Sequence, residues 1–97
     1  MEVSYSYEVR AHVEKIFQKL SKKNHKQLKI IEKKLEQILE HPDAFKPLRA
    51  PLQNCRAVHI DKSFVLVYSV DESRKVVVIE HYAHHDDVYK WRPLIFL

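Results

Sequence analysis

The spacing of apolar residues changes twice along this 97-residue chain, and each change limits the fold that it can adopt. Residues 2–9 alternate between apolar and polar positions, which is the pattern of a half-buried strand. Residues 11–22 and 24–41 instead place apolar side chains three and four positions apart, as on one face of a helix. Alternation then returns, and it predicts three more strands over residues 55–60, 64–70 and 75–82.

The predicted order is strand, helix, helix, connector and three strands, with a short helical turn at Val88 and Tyr89. Residues 61–63 and 71–74 are short enough to join the last three strands as antiparallel hairpins, which gives a meander. A helical hairpin on one face of a small sheet is an α+β fold. We expect one domain over residues 1–97, in which residues 92–97 form an apolar tail covered by the domain or by a partner.

Composition narrows the functional classes. The chain has no glycine, so any positive φ in its turns must fall on Asp, Asn, Ser or Lys. One cysteine excludes an internal disulfide framework, and no apolar run approaches the roughly 20 residues of a membrane span. We therefore expect a cytoplasmic protein without a membrane partner. The net charge of +4 favours a polyanionic partner such as nucleic acid, although the helix lysines also fit a plain solvated face.

Candidate functional residues concentrate where the last predicted strand ends. The segment from Glu80 to Tyr89 contains three histidines, two aspartates and two tyrosines. Alternation in the strand over residues 55–60 points His59 away from the core side. The first and third strands of a meander flank the middle one, so His59 and His85 can converge across roughly 10 Å, two strand spacings.

This pairing of histidines suits metal-free cleavage of RNA. Histidine has an ordinary pKa of about 6.5, so one ring can take the proton of a 2′-hydroxyl while another protonates the departing 5′-oxygen. Cations such as Lys46 can stabilise charge on the phosphoryl group, and an aromatic such as Tyr89 can stack on a base. A divalent metal at His81, His84, His85 and Asp86 is the alternative, but this cluster lacks the regular helical pairing of a zinc motif. We therefore expect no metal and no cofactor.

Several segments resemble one known family. The segment Lys46–Arg49, the paired strands 56–60 and 64–68, and the ending His84–Tyr89 resemble the RelE/ParE superfamily of toxin–antitoxin toxins. The resemblance extends over nearly the whole chain to about Trp91. Within the superfamily, the chain is most similar to the histidine-type ribonucleases represented by YafQ.

The resemblance to the YafQ branch implies particular site residues. It places His59 and His85 at the two catalytic histidines, Tyr89 at the C-terminal aromatic, and Lys46 where that branch has another histidine. Two positions depart from the superfamily patterns. Val65 stands where RelE has an arginine after the strand aromatic, and Ser63 stands where the YafQ pattern has an acid.

The function implied is that of a type II toxin, an endoribonuclease that cleaves mRNA on the ribosome and is neutralised by a cognate antitoxin in a heteromeric complex. Its partners would be the antitoxin, the ribosome and mRNA. Two alternatives use the same fold: a ParE-like inhibitor of DNA gyrase without enzymatic activity, and an inactive homologue that binds its antitoxin. The expected catalytic residues are His59, His85, Lys46 and Tyr89, and the expected RNA- or phosphate-binding residues are Arg49, Arg56 and Lys62.

Overall fold

The structure is a computed structural model that describes residues 4–49, 52, 54–88 and 90. Its elements follow the predicted α+β order. They are β1 (Ser6–Val9), α1 (Ala11–Lys23), α2 (His25–Glu40), β2 (Cys55–Ile60), β3 (Phe64–Asp71), β4 (Val76–His84) and α3 (His85–Val88). Within the described residues, neither α1 nor α2 is long and apolar enough to cross a membrane. The predicted tail over residues 92–97 lies outside the described residues.

Four strands form one mixed sheet in the order β1-β4-β3-β2. β3 pairs antiparallel with both β2 and β4, so the predicted meander is confirmed. β1 lies at the far edge and runs parallel to β4, with Ser6 opposite Val76 and Val9 opposite Ile79. The strand that carries His59 and the strand that leads into His85 therefore lie on either side of β3.

The helical hairpin covers one face of this sheet, which we call the helix face. α2 begins after Asn24, whose side-chain oxygen accepts a hydrogen bond from the backbone N–H of Gln27 at 3.1 Å. That contact satisfies one of the free donors at a helix N-terminus. The apolar stripes of both helices meet the sheet in a core of Val13, Ile31, Ile38, Val58, Ile60, Leu66, Tyr68, Val77, Ile79 and Tyr82.

The opposite face of the sheet, which we call the open face, carries a smaller apolar cluster. Cys55, Val65, Val67 and Val88 are buried there, and Val88 comes from α3. Burial in this cluster raises the pKa of the Cys55 thiol to about 11, so the sulfur stays protonated near neutral pH. The open face is thus partly covered, by α3 and by Leu48 in the middle of the connector between α2 and β2.

The first strand differs from its prediction. The expected strand over residues 2–9 begins at Ser6, and Tyr7, an apolar position of the alternating pattern, is 51% exposed. Tyr7 faces the same side as its partner Val77, but β1 is the edge strand and the helices cover only part of that edge. Alternation fixed the side on which Tyr7 lies, whereas its burial depended on the position of β1 in the sheet.

The two hairpin turns use the residue types expected in a chain without glycine. Positive φ angles occur at Asp61 (56°) and Lys75 (55°) among the described residues. The second turn is held by the carboxylate of Asp71, which accepts from Ser73 Oγ at 2.7 Å and from Arg74 Nε at 2.8 Å. It also accepts from the backbone N–H groups of Ser73 and Arg74. These bonds hold the chain in a turn that places Lys75 at positive φ.

Asp71 makes the stability of the fold depend on pH. Hydrogen bonds from the side chains of Arg74 and Ser73 lower the pKa of Asp71 well below its ordinary value of 3.8. A lowered pKa in the folded state stabilises the fold above the ordinary pKa, and this contribution is lost as the pH falls through the lowered value. Asp71→Asn should therefore lower the urea midpoint at pH 7, and the difference from wild type should narrow below about pH 4. Glu36→Gln, on the exposed side of α2, is the control; a difference for Asp71→Asn that is constant with pH would contradict the assignment.

Candidate active site

His59 lies on the open face near the end of β2. It pairs with Val65 of β3, and Val65 pairs with Ala83 of β4, so the three residues form one row across the sheet. Directly paired residues point to the same side, and Val65 belongs to the open-face cluster. The His59 side chain is exposed, as its strand position predicts.

His85 lies just beyond the other end of this row, past Ala83. It comes two positions after Ala83, where β4 ends and α3 begins. Its backbone N–H donates to the carbonyl of Ser63 at 2.8 Å, and Ser63 lies in the turn of the hairpin that carries His59. This bond ties the beginning of α3 to the β2–β3 hairpin. The two exposed histidines therefore lie at the same end of the sheet, on either side of a row about 10 Å wide.

Asp86 orients the ring of His85. Its Oδ1 lies 2.9 Å from His85 Nδ1, and its Oδ2 lies 3.5 Å from His84 Nδ1. A neutral imidazole that donates its Nδ1–H to a carboxylate keeps Nε2 free of a proton. In this arrangement, Nε2 of His85 is the nitrogen available as a proton acceptor. The same three side chains also offer ligand atoms within 4.8 Å of one another, a possible metal-binding group.

Lys46 is placed on the open face by the connector. Pro47 forms an antiparallel bridge with Arg56, the N–H of Ala57 donates to the Lys46 carbonyl at 3.3 Å, and the N–H of Leu48 donates to the Cys55 carbonyl at 2.9 Å. Leu48 packs on the open-face cluster, and alternation along this short paired segment puts Lys46 on the same side. Its exposed side chain lies beside Ala57, two residues before His59.

Arg56 does not belong to this group, which corrects its assignment to phosphate binding. It pairs with Tyr68, a core residue of the helix face, and so points away from the side of His59. Its Nη1 donates to the carbonyls of Asp43 and Phe45 in the connector. Tyr68 also bonds to the connector, because its hydroxyl donates to the Pro42 carbonyl at 2.7 Å. Arg56 therefore holds the connector against the sheet.

The remaining predicted site residues are two basic residues and Tyr89. Arg49 and Lys62 are exposed, Arg49 in the connector and Lys62 in the turn after β2. Lys62 adds positive charge at the hairpin end of the sheet, whereas Arg49 follows Leu48, whose N–H bonds to Cys55 at the opposite end of β2. Tyr89, the predicted stacking aromatic, lies outside the described residues, and its role stays a prediction.

The structure also contains polar contacts that sequence reasoning missed. Arg10 donates through Nε to Glu80 Oε1 at 2.9 Å and through Nη2 to Glu80 Oε2 at 3.3 Å, and Ser69 Oγ donates to Glu80 Oε2 at 2.6 Å. They follow from a β-bulge, because Tyr68 pairs with Ile79 while Val67 pairs with His81. The extra residue, Glu80, turns to the side of Ser69, and no alternation pattern reveals such an insertion.

The same bulge brings two histidines together. His12 Nε2 and His81 Nδ1 lie 3.0 Å apart, and their rings are tilted by 36°. Burial and the nearby His12 ring lower the pKa of His81. The lowered pKa favours the neutral form of His81, whose Nδ1 lies within hydrogen-bond distance of His12 Nε2. Sequence spacing gave no signal for this pair, since the two residues are 69 positions apart.

Comparison with known proteins assigns the family. Residues 3–89 match the model of the ParE toxin of type II toxin–antitoxin systems. The chain belongs to this toxin family. The match extends over most of the sequence and includes both site histidines, so the expected membership of the RelE/ParE superfamily is confirmed.

Two archaeal proteins resemble this toxin-family chain closely in sequence. A protein of Methanocaldococcus jannaschii named "Putative toxin RelE4" is 49% identical over 90 residues, which cover 93% of this chain and 96% of the relative. An uncharacterized protein of Methanosarcina mazei is 48% identical over 85 residues, which cover 88% of this chain and 99% of the relative. The match therefore includes almost the full length of each relative.

Solved structures share the fold. The free state of a mutant Escherichia coli toxin RelE has a TM-score of 0.73 at 23% identity and covers 90% of each chain. A chain of the toxin–antitoxin complex RelBE2 from Mycobacterium tuberculosis has a TM-score of 0.69 at 22% identity, covering 86% of this chain and 100% of its own. At this identity the likeness shows the fold, and the RelE-like α+β architecture expected from the sequence is confirmed. The closer assignment to the YafQ branch stays a prediction.

Proposed function

We propose that this toxin-family member is a metal-independent endoribonuclease that cleaves mRNA on the ribosome and is neutralised by a cognate antitoxin. The observation that carries the proposal is the placement of His59 and His85. Both are exposed, both lie at the hairpin end of the sheet, and both border a row of small apolar residues across three strands. A surface of this kind leaves room for a phosphodiester between two proton-transferring rings.

The chemistry needs one base and one acid. The base removes the proton of the 2′-hydroxyl, the 2′-oxygen bonds to phosphorus, and the bond from phosphorus to the 5′-oxygen breaks as the acid supplies a proton to it. His85 suits the base, because the Asp86 carboxylate lies 2.9 Å from Nδ1, which favours a proton on that nitrogen and leaves Nε2 as an acceptor. His59 then supplies the proton, and Lys46 stabilises the charge that develops on the phosphoryl oxygens.

The surrounding surface fits an RNA substrate on the ribosome. Lys46 and Lys62 are exposed near the histidines, and the exposed Arg49 adds positive charge near the beginning of β2. Tyr89, which follows α3, is proposed to stack on a base, as the resemblance to the YafQ branch implies. The proposed antitoxin is supported by the RelBE2 chain, a fold neighbour whose structure is that of a toxin–antitoxin complex. An acidic partner segment would complement the basic face of this chain.

The test is to produce the chain without an antitoxin and to follow three readouts: growth, mRNA integrity on translating ribosomes, and DNA supercoiling by gyrase. We expect growth arrest, cleavage within ribosome-bound mRNA in the presence of a metal chelator, and unchanged supercoiling. Inhibited supercoiling with intact mRNA would establish the gyrase-inhibitor alternative instead. Unimpaired growth with intact mRNA and normal supercoiling would identify an inactive antitoxin-binding homologue.

A further inference from the structure

We propose that His84, His85 and Asp86 bind a divalent transition-metal ion such as Zn²⁺, and that this ion blocks the site instead of activating it. The three side chains are consecutive in sequence, and each has a ligand atom within 4.8 Å of the other two. Two imidazoles and one carboxylate are a donor set that Zn²⁺ accepts in proteins. The binding itself does not depend on the proposed function, whereas its inhibitory effect does.

The ligand atoms of the three side chains lie within 4.8 Å of one another, and an ion would draw them to the shorter spacing of a tetrahedral site. For metal–ligand bonds of about 2.0–2.1 Å, two ligands of a tetrahedron lie about 3.3 Å apart. His85 Nδ1 lies 2.9 Å from Asp86 Oδ1, and His84 Nδ1 lies 3.5 Å from Asp86 Oδ2. The centroids of the two imidazole rings are 4.4 Å apart. Binding of one ion would therefore require the three side chains to rotate toward it.

The backbone and one neighbouring ring hold these donors in place. His85 is fixed by its N–H bond to the Ser63 carbonyl, and the ring of His84 contacts the ring of Phe64 edge-on, with centroids 5.6 Å apart. The N–H of Asp86 also donates to His84 Nδ1 at 3.2 Å, a bond that the ion would replace. Ligands that are already ordered lose less conformational freedom when an ion binds.

An ion at this position would affect the proposed chemistry. When an ion binds Nδ1 of His85, the proton of the neutral ring resides on Nε2, so this nitrogen can no longer accept the proton of a hydroxyl. The Asp86 carboxylate, which faces Nδ1 at 2.9 Å, would then bind the ion instead. We therefore expect RNA cleavage to fall as the Zn²⁺ concentration rises and to return when Zn²⁺ is chelated. A metal-dependent nuclease would show the opposite response.

The experiment uses the full chain without a histidine tag and reads binding and cleavage separately. Co²⁺ serves as a spectroscopic probe, because a tetrahedral Co²⁺ site with nitrogen and oxygen ligands absorbs strongly in the visible. We expect one equivalent of Co²⁺ to bind, Zn²⁺ to displace it, and excess Mg²⁺ to leave it in place, since imidazole is a poor ligand for Mg²⁺.

Variants test whether the three residues form the site. His84→Ala and Asp86→Asn should each weaken Zn²⁺ affinity by at least about tenfold, the range reached when only a supporting group is lost. His12→Ala is the matched control, because it removes a ring from the other close histidine pair. In the absence of metal, His84→Ala should cleave mRNA as the wild type does, and Zn²⁺ should no longer inhibit this cleavage. Asp86→Asn keeps the shape of the side chain, so it separates ligand loss from a folding defect.

Two outcomes would overturn the proposal. One is a wild-type chain that binds no Co²⁺ or Zn²⁺; the other is unchanged affinity in both His84→Ala and Asp86→Asn, which would place any bound ion elsewhere. A wild-type chain that binds Zn²⁺ through these residues but cleaves no mRNA would support the metal site and contradict the proposed function. Cleavage that Zn²⁺ leaves unaffected at saturation would contradict the inhibitory role alone.

Discussion

Replacing His85 with alanine is expected to lower mRNA cleavage by about 10²- to 10⁴-fold, the usual contribution of a positioned acid or base. His59→Ala should fall in the same range, because each ring performs one of the two proton transfers. Both side chains are exposed, so neither replacement should change the free energy of unfolding by more than about 0.5 kcal/mol. The measurement is single-turnover cleavage on ribosomes programmed with one mRNA, alongside urea unfolding of each variant.

The double variant sharpens this prediction. Groups that act in one concerted step are not additive, so His59→Ala combined with His85→Ala should be only slightly slower than the slower single variant. His84→Ala is the matched control, since the His84 ring has no role in the proposed reaction although its centroid lies 4.4 Å from that of the His85 ring. Near wild-type cleavage by both single variants would remove the histidines from the mechanism, and the gyrase assay would then decide the function.

The second large effect concerns Val88, which anchors α3 to the open face. Its side chain is 1% exposed and packs with Cys55, Val65 and Val67. Val88→Asp would put a carboxylate into this cluster, at a cost of several kcal/mol if the charge stayed buried. We expect α3 to leave the sheet instead. Because α3 begins at His85, cleavage should fall about 10²-fold or more, as it does when a catalytic group is misplaced by about 1 Å.

The rest of the fold should survive this change. The main core lies on the helix face, on the other side of the sheet from Val88. Circular dichroism should therefore remain close to wild type, and the cooperative urea transition should persist at a lower midpoint. Val88→Ile, which keeps an apolar side chain, and Asp87→Ala, which changes an exposed residue of the same turn, are the controls. Full cleavage by Val88→Asp would show that docking of α3 is not needed to position His85.

Local patterns predicted most of the elements because each is encoded by its own residues. The strand over residues 55–60 has the predicted bounds, and the two helices begin and end within about a residue of theirs. The side of His59 followed from the same alternation. Arg56 lies two positions before Val58, so alternation along this strand already predicts that it faces the core side. Its assignment to phosphate binding depended on its charge and on its closeness to His59 in sequence.

Contacts between distant elements could not be predicted in this way. Nothing in residues 6–9 indicates that β1 pairs with β4, because alternation describes one strand and not its partner. The bulge that directs Glu80 toward Arg10 and Ser69 is an extra residue in one strand opposite another, so it exists only in the pairing. The candidate metal group shows the same limit, because His84, His85 and Asp86 lie together as expected, whereas His81 lies beside His12 of α1.

The parallel pairing of β1 with β4 has a consequence during synthesis of the protein. Ser6 lies opposite Val76, so the partner of the first strand emerges from the ribosome 70 residues later. Until then, the apolar stripes of α1 and α2 have no finished sheet to cover, and pairing across such a separation is slow. Since His85 follows β4 directly, a translation product interrupted before residue 76 lacks both a completed sheet and that histidine. The order of the strands therefore delays the appearance of a complete active surface until residue 85 has been synthesised.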